Sequence, residues 1–154
     1  MRIIALDIDD CVLPTNNNYF GMTNDNLIML DVNMRRLAMI LEKWNMKVFI
    51  TSSWYVQLKL EEGVLGLKYG TEGECKMIVQ QFDIISKHIG NDVIGLSCGN
   101  RVRDINTLSA EGHNVVALDD MDLSECNNDN ALYIKVNGFI NGNVGYRIKN
   151  FLEE

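Results

Sequence analysis

Arg2-Ile3-Ile4-Ala5-Leu6-Asp7-Ile8-Asp9-Asp10 follows the first methionine, and its two halves pull in opposite physical directions. Residues 3–6 form a short, unbroken apolar run that includes two β-branched side chains. Such a run predicts a strand buried on both faces, as in the interior of a parallel sheet. Three carboxylates then fall within four residues. At the mouth of a buried strand they are costly unless positive charge lies among them. A hard divalent cation such as Mg²⁺ meets that need, because it takes oxygen ligands. In an extended segment Asp7 and Asp9 project to the same side, so both can serve one reacting phosphoryl group. An acidic cluster after a strand equally fits a polar turn or the N-cap of the next helix. The rest of the chain has to decide.

Working outward, two further apolar runs end in polar groups. Lys47-Val48-Phe49-Ile50 leads into Thr51-Ser52, and Asn114-Val115-Val116-Ala117-Leu118 leads into Asp119-Asp120. Asp92–Leu96 and Ala131–Val136 predict two more strands. Helices are expected between them. One is capped by Asp31 or Asn33 and runs to about Asn45, with Met34, Leu37, Ile40, Leu41 and Trp44 on one face. Others are expected from Ser53 through Leu60, over Lys76–His88, over Arg101–Ala110 and over Val144–Leu152. Asn100 suits the N-cap of the fourth, and Gly112 its left-handed end. The polar stretch from Pro14 to about Asn26, and the segment from Glu61 to Gly73 with its four glycines, predict irregular chain.

Strands alternating with helices predict an α/β fold, a Rossmann-like three-layer sandwich with a mainly parallel sheet. The expectation is one domain over residues 1–154 without a large cap domain, since 14–46 has no room for one and 55–100 has room for a modest insertion but not for a large folded lid. In such folds ligands bind at the carboxyl ends of the strands. Three polar strand ends, Asp7/Asp9, Thr51/Ser52 and Asp119/Asp120, are thereby expected to converge.

Composition narrows the partners. With 47% hydrophobic and 23% charged residues, the chain is globular rather than disordered. A net charge of −7 excludes a general nucleic-acid-binding surface. No apolar run approaches the ~20 residues that span a bilayer, so no membrane is expected. The N-terminal apolar run is too short for a signal peptide and is interrupted by Asp7, which predicts a cytoplasmic protein. The four cysteines lack CxxC spacing, and His88 and His113 lack ligand spacing, so zinc is not expected and both histidines read as surface or loop residues. Cys11 reads as a small buried side chain, and Trp54, just past the second strand, as a core or rim aromatic with a pocket-lining place as the alternative.

Together these segments resemble the haloacid dehalogenase-like superfamily of phosphohydrolases. Its first motif is an apolar strand followed by DxDx[TV]. Ile3-Ile4-Ala5-Leu6-Asp7-Ile8-Asp9-Asp10-Cys11-Val12 is similar, with Cys11 where Thr or Val is usual. Val48-Phe49-Ile50-Thr51 resembles the second motif, and Val115-Val116-Ala117-Leu118-Asp119-Asp120 the fourth. The resemblance implies that Asp7 is a nucleophile forming an aspartyl-phosphate. It implies that Asp9 is the general acid and then base, with its backbone carbonyl on the metal. Thr51, with Ser52 beside it, would hold phosphate oxygens, and Asp119 with Asp120 would complete the Mg²⁺ site. The third motif supplies a cation, Lys or sometimes Arg. Arg101, 18 residues before Asp119 at an expected helix start, is the first candidate, with Arg103 and Lys87 as the others. The implied partner is a phosphorylated substrate, either a small molecule or the end of a macromolecule. The lack of room for a lid favours a bulky one.

Two other classes fit less well. A receiver-type signalling domain needs a phospho-accepting Asp near residue 50, where this chain has Thr51. A non-catalytic relative serving as a binding module would not need both Asp7 and Asp9.

Overall fold

β1 (Arg2–Leu6) lies at the centre of a five-stranded sheet ordered β5-β2-β1-β6-β7, with β2 (Lys47–Ile50), β5 (Val93–Leu96), β6 (Asn114–Asp119) and β7 (Ala131–Lys135). The structure is a computed structural model and describes residues 1–14, 24–68 and 76–153. Every pairing in this sheet is parallel. The helices are α1 (Asn24–Trp44), α2 (Lys76–Ile89), α3 (Arg101–Ala110) and α4 (Gly142–Glu153). The fold is thus the α/β, Rossmann-like three-layer sandwich that the alternation predicts.

Both faces of β1 are buried, which is why its sequence shows no polar alternation. Ile4 and Leu6 pack with Val116, Leu118 and the apolar faces of α1, α2 and α4, including Leu30, Met34, Ile85 and Ile148. Ala5 packs on the opposite face with Val115, Ala117 and Ile105 of α3. The chain builds β1, β2 and β5 in one direction, then returns to lay β6 on the other side of β1. The strand order therefore reverses between β1 and β6, the point where open α/β sheets bind ligands. No helix among the described residues is long and apolar enough to cross a membrane.

Two helices end by the same device. Asn45 (φ 52°) and Gly112 (φ 91°) adopt left-handed conformations just past α1 and α3. The next residues reach back, Met46 N–H to Leu41 O (2.9 Å) and His113 N–H to Leu108 O (3.3 Å), which closes the orphan carbonyls of the last turn. Asn100 caps the start of α3, accepting the Arg103 N–H.

Three expectations are corrected. First, α1 begins at Asn24, so neither Asp31 nor Asn33 is an N-cap. Residues 15–23 of the expected loop lie outside the described residues, while 24–26 are helical. Leu30 extends the apolar face of Met34, Leu37 and Leu41 upstream at helical spacing. Second, no helix runs from Ser53 through Leu60. A single 3-10 turn, Ser53–Val56, is followed by β3 (Leu58–Glu61). Third, the stretch after Glu61 is not irregular up to Leu67. Glu62 and Gly63, both with positive φ, make the two-residue turn of a hairpin with β4 (Val64–Leu67). Leu58 and Leu65 enter the core from it. Residues 69–75 lie outside the described residues.

Asn33 has another task. Fully buried inside α1, it donates to Val12 O (2.8 Å) and Gly138 O (3.0 Å) and accepts the Ile140 N–H (2.9 Å). One amide therefore ties α1 to the loop after β1 and to the turn before α4. Asn33→Leu fills the same space but leaves three backbone groups without partners. It is expected to cost about 3 kcal/mol, lowering the melting temperature by roughly 6–12 °C in a chain of this size, as read by calorimetry.

Candidate functional site

The ladder continues one residue past the strand ends. Asp7 N–H donates to Leu118 O (3.0 Å), Thr51 N–H to Leu6 O (2.9 Å) and Val136 N–H to Asp119 O (3.0 Å). Asp7, Thr51 and Asp119 are thereby fixed in one row across the carboxyl edge of β2, β1 and β6. Alternation turns Asp7 to the side of Ala5 and Asp119 to the side of Ala117, which is the face covered by α3. Arg101, the first residue of α3, meets them there. Its Nη1 lies 2.7 Å from Asp119 Oδ2 and 3.6 Å from Asp7 Oδ1. Of the three candidate cations, Arg101 is the one in contact. The side chains of Arg103 on α3 and Lys87 on α2 are exposed.

Asp7 is 4% exposed and Asp119 1%. With half-buried Asp120 they form a group whose carboxylate oxygens lie within 4.8 Å of one another. Burial first, then the Asp119 charge and a hydrogen bond with Asp120, push the Asp7 carboxyl up to about 8. Burial also raises Asp119, against the Met121 N–H and Arg101, which favour its charged form. Three buried or half-buried carboxylates and one guanidinium leave net negative charge in a dry place. The donor set is all oxygen, which suits a hard divalent cation.

Asp9 is not in that group. The chain leaves extended geometry after Leu6. Ile8 O accepts N–H groups from Cys11, Val12 and Leu13 (3.0–3.2 Å), and Asp10 has φ 61°. Asp9 lies in this tight loop, where its Oδ1 accepts the Trp54 indole N–H (3.1 Å) and where the Asp120 charge still reaches it. The expectation of an extended segment through Asp9 is corrected by this loop. Burial raises the Asp9 carboxyl, and the Trp54 hydrogen bond opposes the rise.

Thr51 is buried at the end of β2. Ser52 is fully buried, and its Oγ accepts the Trp54 N–H (3.2 Å), capping the 3-10 turn that carries the indole. Its oxygen thereby holds the turn that carries Trp54, and its O–H proton is not used in that bond. Cys11 is buried, as its small apolar character suggests, and burial followed by the Asp7 charge drives its thiol upward, away from reactivity. His88 is half-buried on α2, with its Nε2 2.7 Å from Asp31 of α1.

Trp54, a core, rim or pocket-lining aromatic by its place just past β2, reaches Asp9 through the 3-10 turn. One residue beside the site was not legible beforehand. Tyr133 of β7 lies on the α3 face, and its buried hydroxyl has no hydrogen-bond partner among the described residues. Burial, then Asp122, Asp119 and Asp120, push that hydroxyl up. No periodicity marks it, because its neighbours in space come from β6.

No family model, no curated protein and no solved structure compared with this chain matches it. The site therefore has to be read from its own chemistry.

Proposed function

We propose that this chain is a Mg²⁺-dependent phosphohydrolase of the haloacid dehalogenase-like kind. It acts on a phosphomonoester through an aspartyl-phosphate on Asp7. One observation carries the reading: a buried Asp7 carboxyl, in a row with Asp119 and beside Asp120, with the Arg101 guanidinium between Asp7 and Asp119. Neither a polar turn nor a helix cap accounts for that arrangement.

Asp7 attacks the phosphorus of the ester, and the bond from phosphorus to the leaving oxygen breaks. The Asp9 carboxyl, raised by burial, gives its proton to that oxygen. Water then attacks the phosphorus of the aspartyl-phosphate while the Asp9 carboxylate takes its proton. The bond to Asp7 breaks, and inorganic phosphate leaves. Trp54 holds Asp9 in place through both transfers, so the same carboxyl is presented each time. Arg101 offsets charge on Asp7 and on the arriving phosphate. The Thr51 hydroxyl binds a phosphate oxygen. Asp7, Asp119 and Asp120 would hold Mg²⁺ by their carboxylates and Asp9 by its backbone carbonyl. A bound Mg²⁺ offsets the carboxylates' mutual repulsion and neutralises charge on the transferring group.

The described residues contain no large cap domain, which supports an accessible site and a bulky substrate such as the phosphorylated end of a macromolecule. The reading extends to the cytoplasm, where the free thiols of Cys11, Cys98 and Cys126 stay reduced.

The test is hydrolysis of a chromogenic phosphomonoester and of a panel of phosphorylated metabolites and polymers, with Mg²⁺ and with chelator. Turnover is expected only with the cation. Asp9→Asn is expected to slow it by roughly 10²–10⁴-fold. Absence of hydrolysis across the panel, or hydrolysis indifferent to Asp9→Asn, contradicts the reading.

A further inference from the structure

A groove of about 820 Å³ runs between the second half of α1 and the first half of α4, and no residue of the carboxylate site lines it. Ile40, Trp44 and Ile140 contribute apolar walls. Met39 and Tyr146 stand at its edges 66% and 63% exposed, a large apolar display for two side chains facing one groove.

The rim carries the opposite charge to the rest of the chain. Arg36, Lys43 and Lys149 line the groove against the single acid Glu42, on a chain of net charge −7. Among the described residues none of these three cations is in an ion pair. Two of them are placed by other contacts. Arg36 donates to Ile140 O (2.6 Å) and lies 4.5 Å over the Phe139 ring, and Lys43 lies 5.4 Å from the Trp44 ring. The groove thus offers positive charge that no carboxylate among the described residues pairs with.

We propose that this groove docks an acidic amphipathic helix of a partner protein. Two flanking helices make a trough that suits a third, with apolar side chains at i, i+3 or i+4, and i+7 entering between α1 and α4. Asp and Glu beside that stripe meet Arg36, Lys43 and Lys149. A second copy of this chain is disfavoured as the occupant, because a two-fold contact sets these cations against themselves. The surface is independent of the carboxylate site and of the reaction assigned to it.

A phage library of random 16-residue peptides, panned on the full chain, tests this. The expected result is enrichment of sequences that combine Asp or Glu with apolar residues at helical spacing. The best of them, made synthetically, is expected to bind at least tenfold more weakly to Lys43→Glu/Lys149→Glu and to Met39→Glu. Rising salt is expected to weaken its binding to the unaltered chain. These side chains are exposed, so unchanged melting temperatures are expected to show that the variants fold. No enrichment, enrichment of sequences without acidic residues, or equal binding to the charge-reversed chain overturns the proposal. Preferential binding of a single-stranded oligonucleotide, or a concentration-dependent dimer abolished by the same substitutions, also overturns it.

Discussion

Asp7→Asn is expected to abolish phosphoester hydrolysis, by about 10⁴-fold or more, while making the metal-free protein more stable. The first effect follows from removing the attacking oxygen, since an amide cannot form the aspartyl-phosphate. The second follows from burial. Folding moves the Asp7 carboxyl from 3.8 to about 8. Between those values the folded state keeps a proton that the unfolded chain has released. Stability from this group is therefore full below about pH 4 and is lost as pH rises toward about 8. Asparagine carries no such proton, and its profile in that window is flatter. At neutral pH a gain of about 2 kcal/mol is expected, or roughly 4–8 °C in melting temperature. Loss of activity with gain of stability marks a residue kept for chemistry. Loss of both would mark Asp7 as structural.

Mg²⁺ is expected to reverse the same pH dependence. A cation bound by Asp7, Asp119 and Asp120 needs their charged forms, so binding displaces the proton that Asp7 shares with Asp120. Affinity should rise with pH, up to about tenfold per unit where one proton is released. A concentration about 100 times the dissociation constant contributes about 2.7 kcal/mol, which raises the melting temperature by roughly 5–10 °C. The shift should be larger at pH 8 than at pH 6. It should be greatly reduced in Asp119→Asn, whose carboxyl lies 1% exposed in the same group. Equal shifts in the unaltered protein and in that variant would place the cation elsewhere. Differential scanning fluorimetry across pH, with Mg²⁺ and with chelator, measures all of this.

The sheet was legible because its strands are buried on both faces and so appear as apolar runs. Ile3–Leu6, Val48–Ile50 and Val115–Leu118 leave little else to read. The polar strand ends were legible for the same reason: each interrupts a run abruptly. Arg101 stood first among three candidate cations because the resemblance asks for one near a helix start, and the Asn100 cap puts Arg101 at such a start. The β3–β4 hairpin was missed because Glu62-Gly63 lacks the usual Asn or Asp before glycine, although Leu58, Lys59, Leu60 and Glu61 alternate. The start of α1 was missed because Asp31 and Asn33 look like caps by composition. Asn33 is instead spent on three contacts more than 20 residues away in sequence, which no local pattern encodes. The loop that carries Asp9 was equally hidden, since it depends on three N–H groups converging on Ile8 O.

The central claim is that Asp7 accepts a phosphoryl group in a Mg²⁺-dependent site. Beryllofluoride tests it without knowledge of the substrate, because it mimics a phosphoryl group on a carboxylate. Fluorine NMR of the protein with beryllofluoride and Mg²⁺ is predicted to show a bound species that disappears with chelator and is absent from Asp7→Asn. No bound species in the unaltered protein, or the same species in Asp7→Asn, contradicts the account.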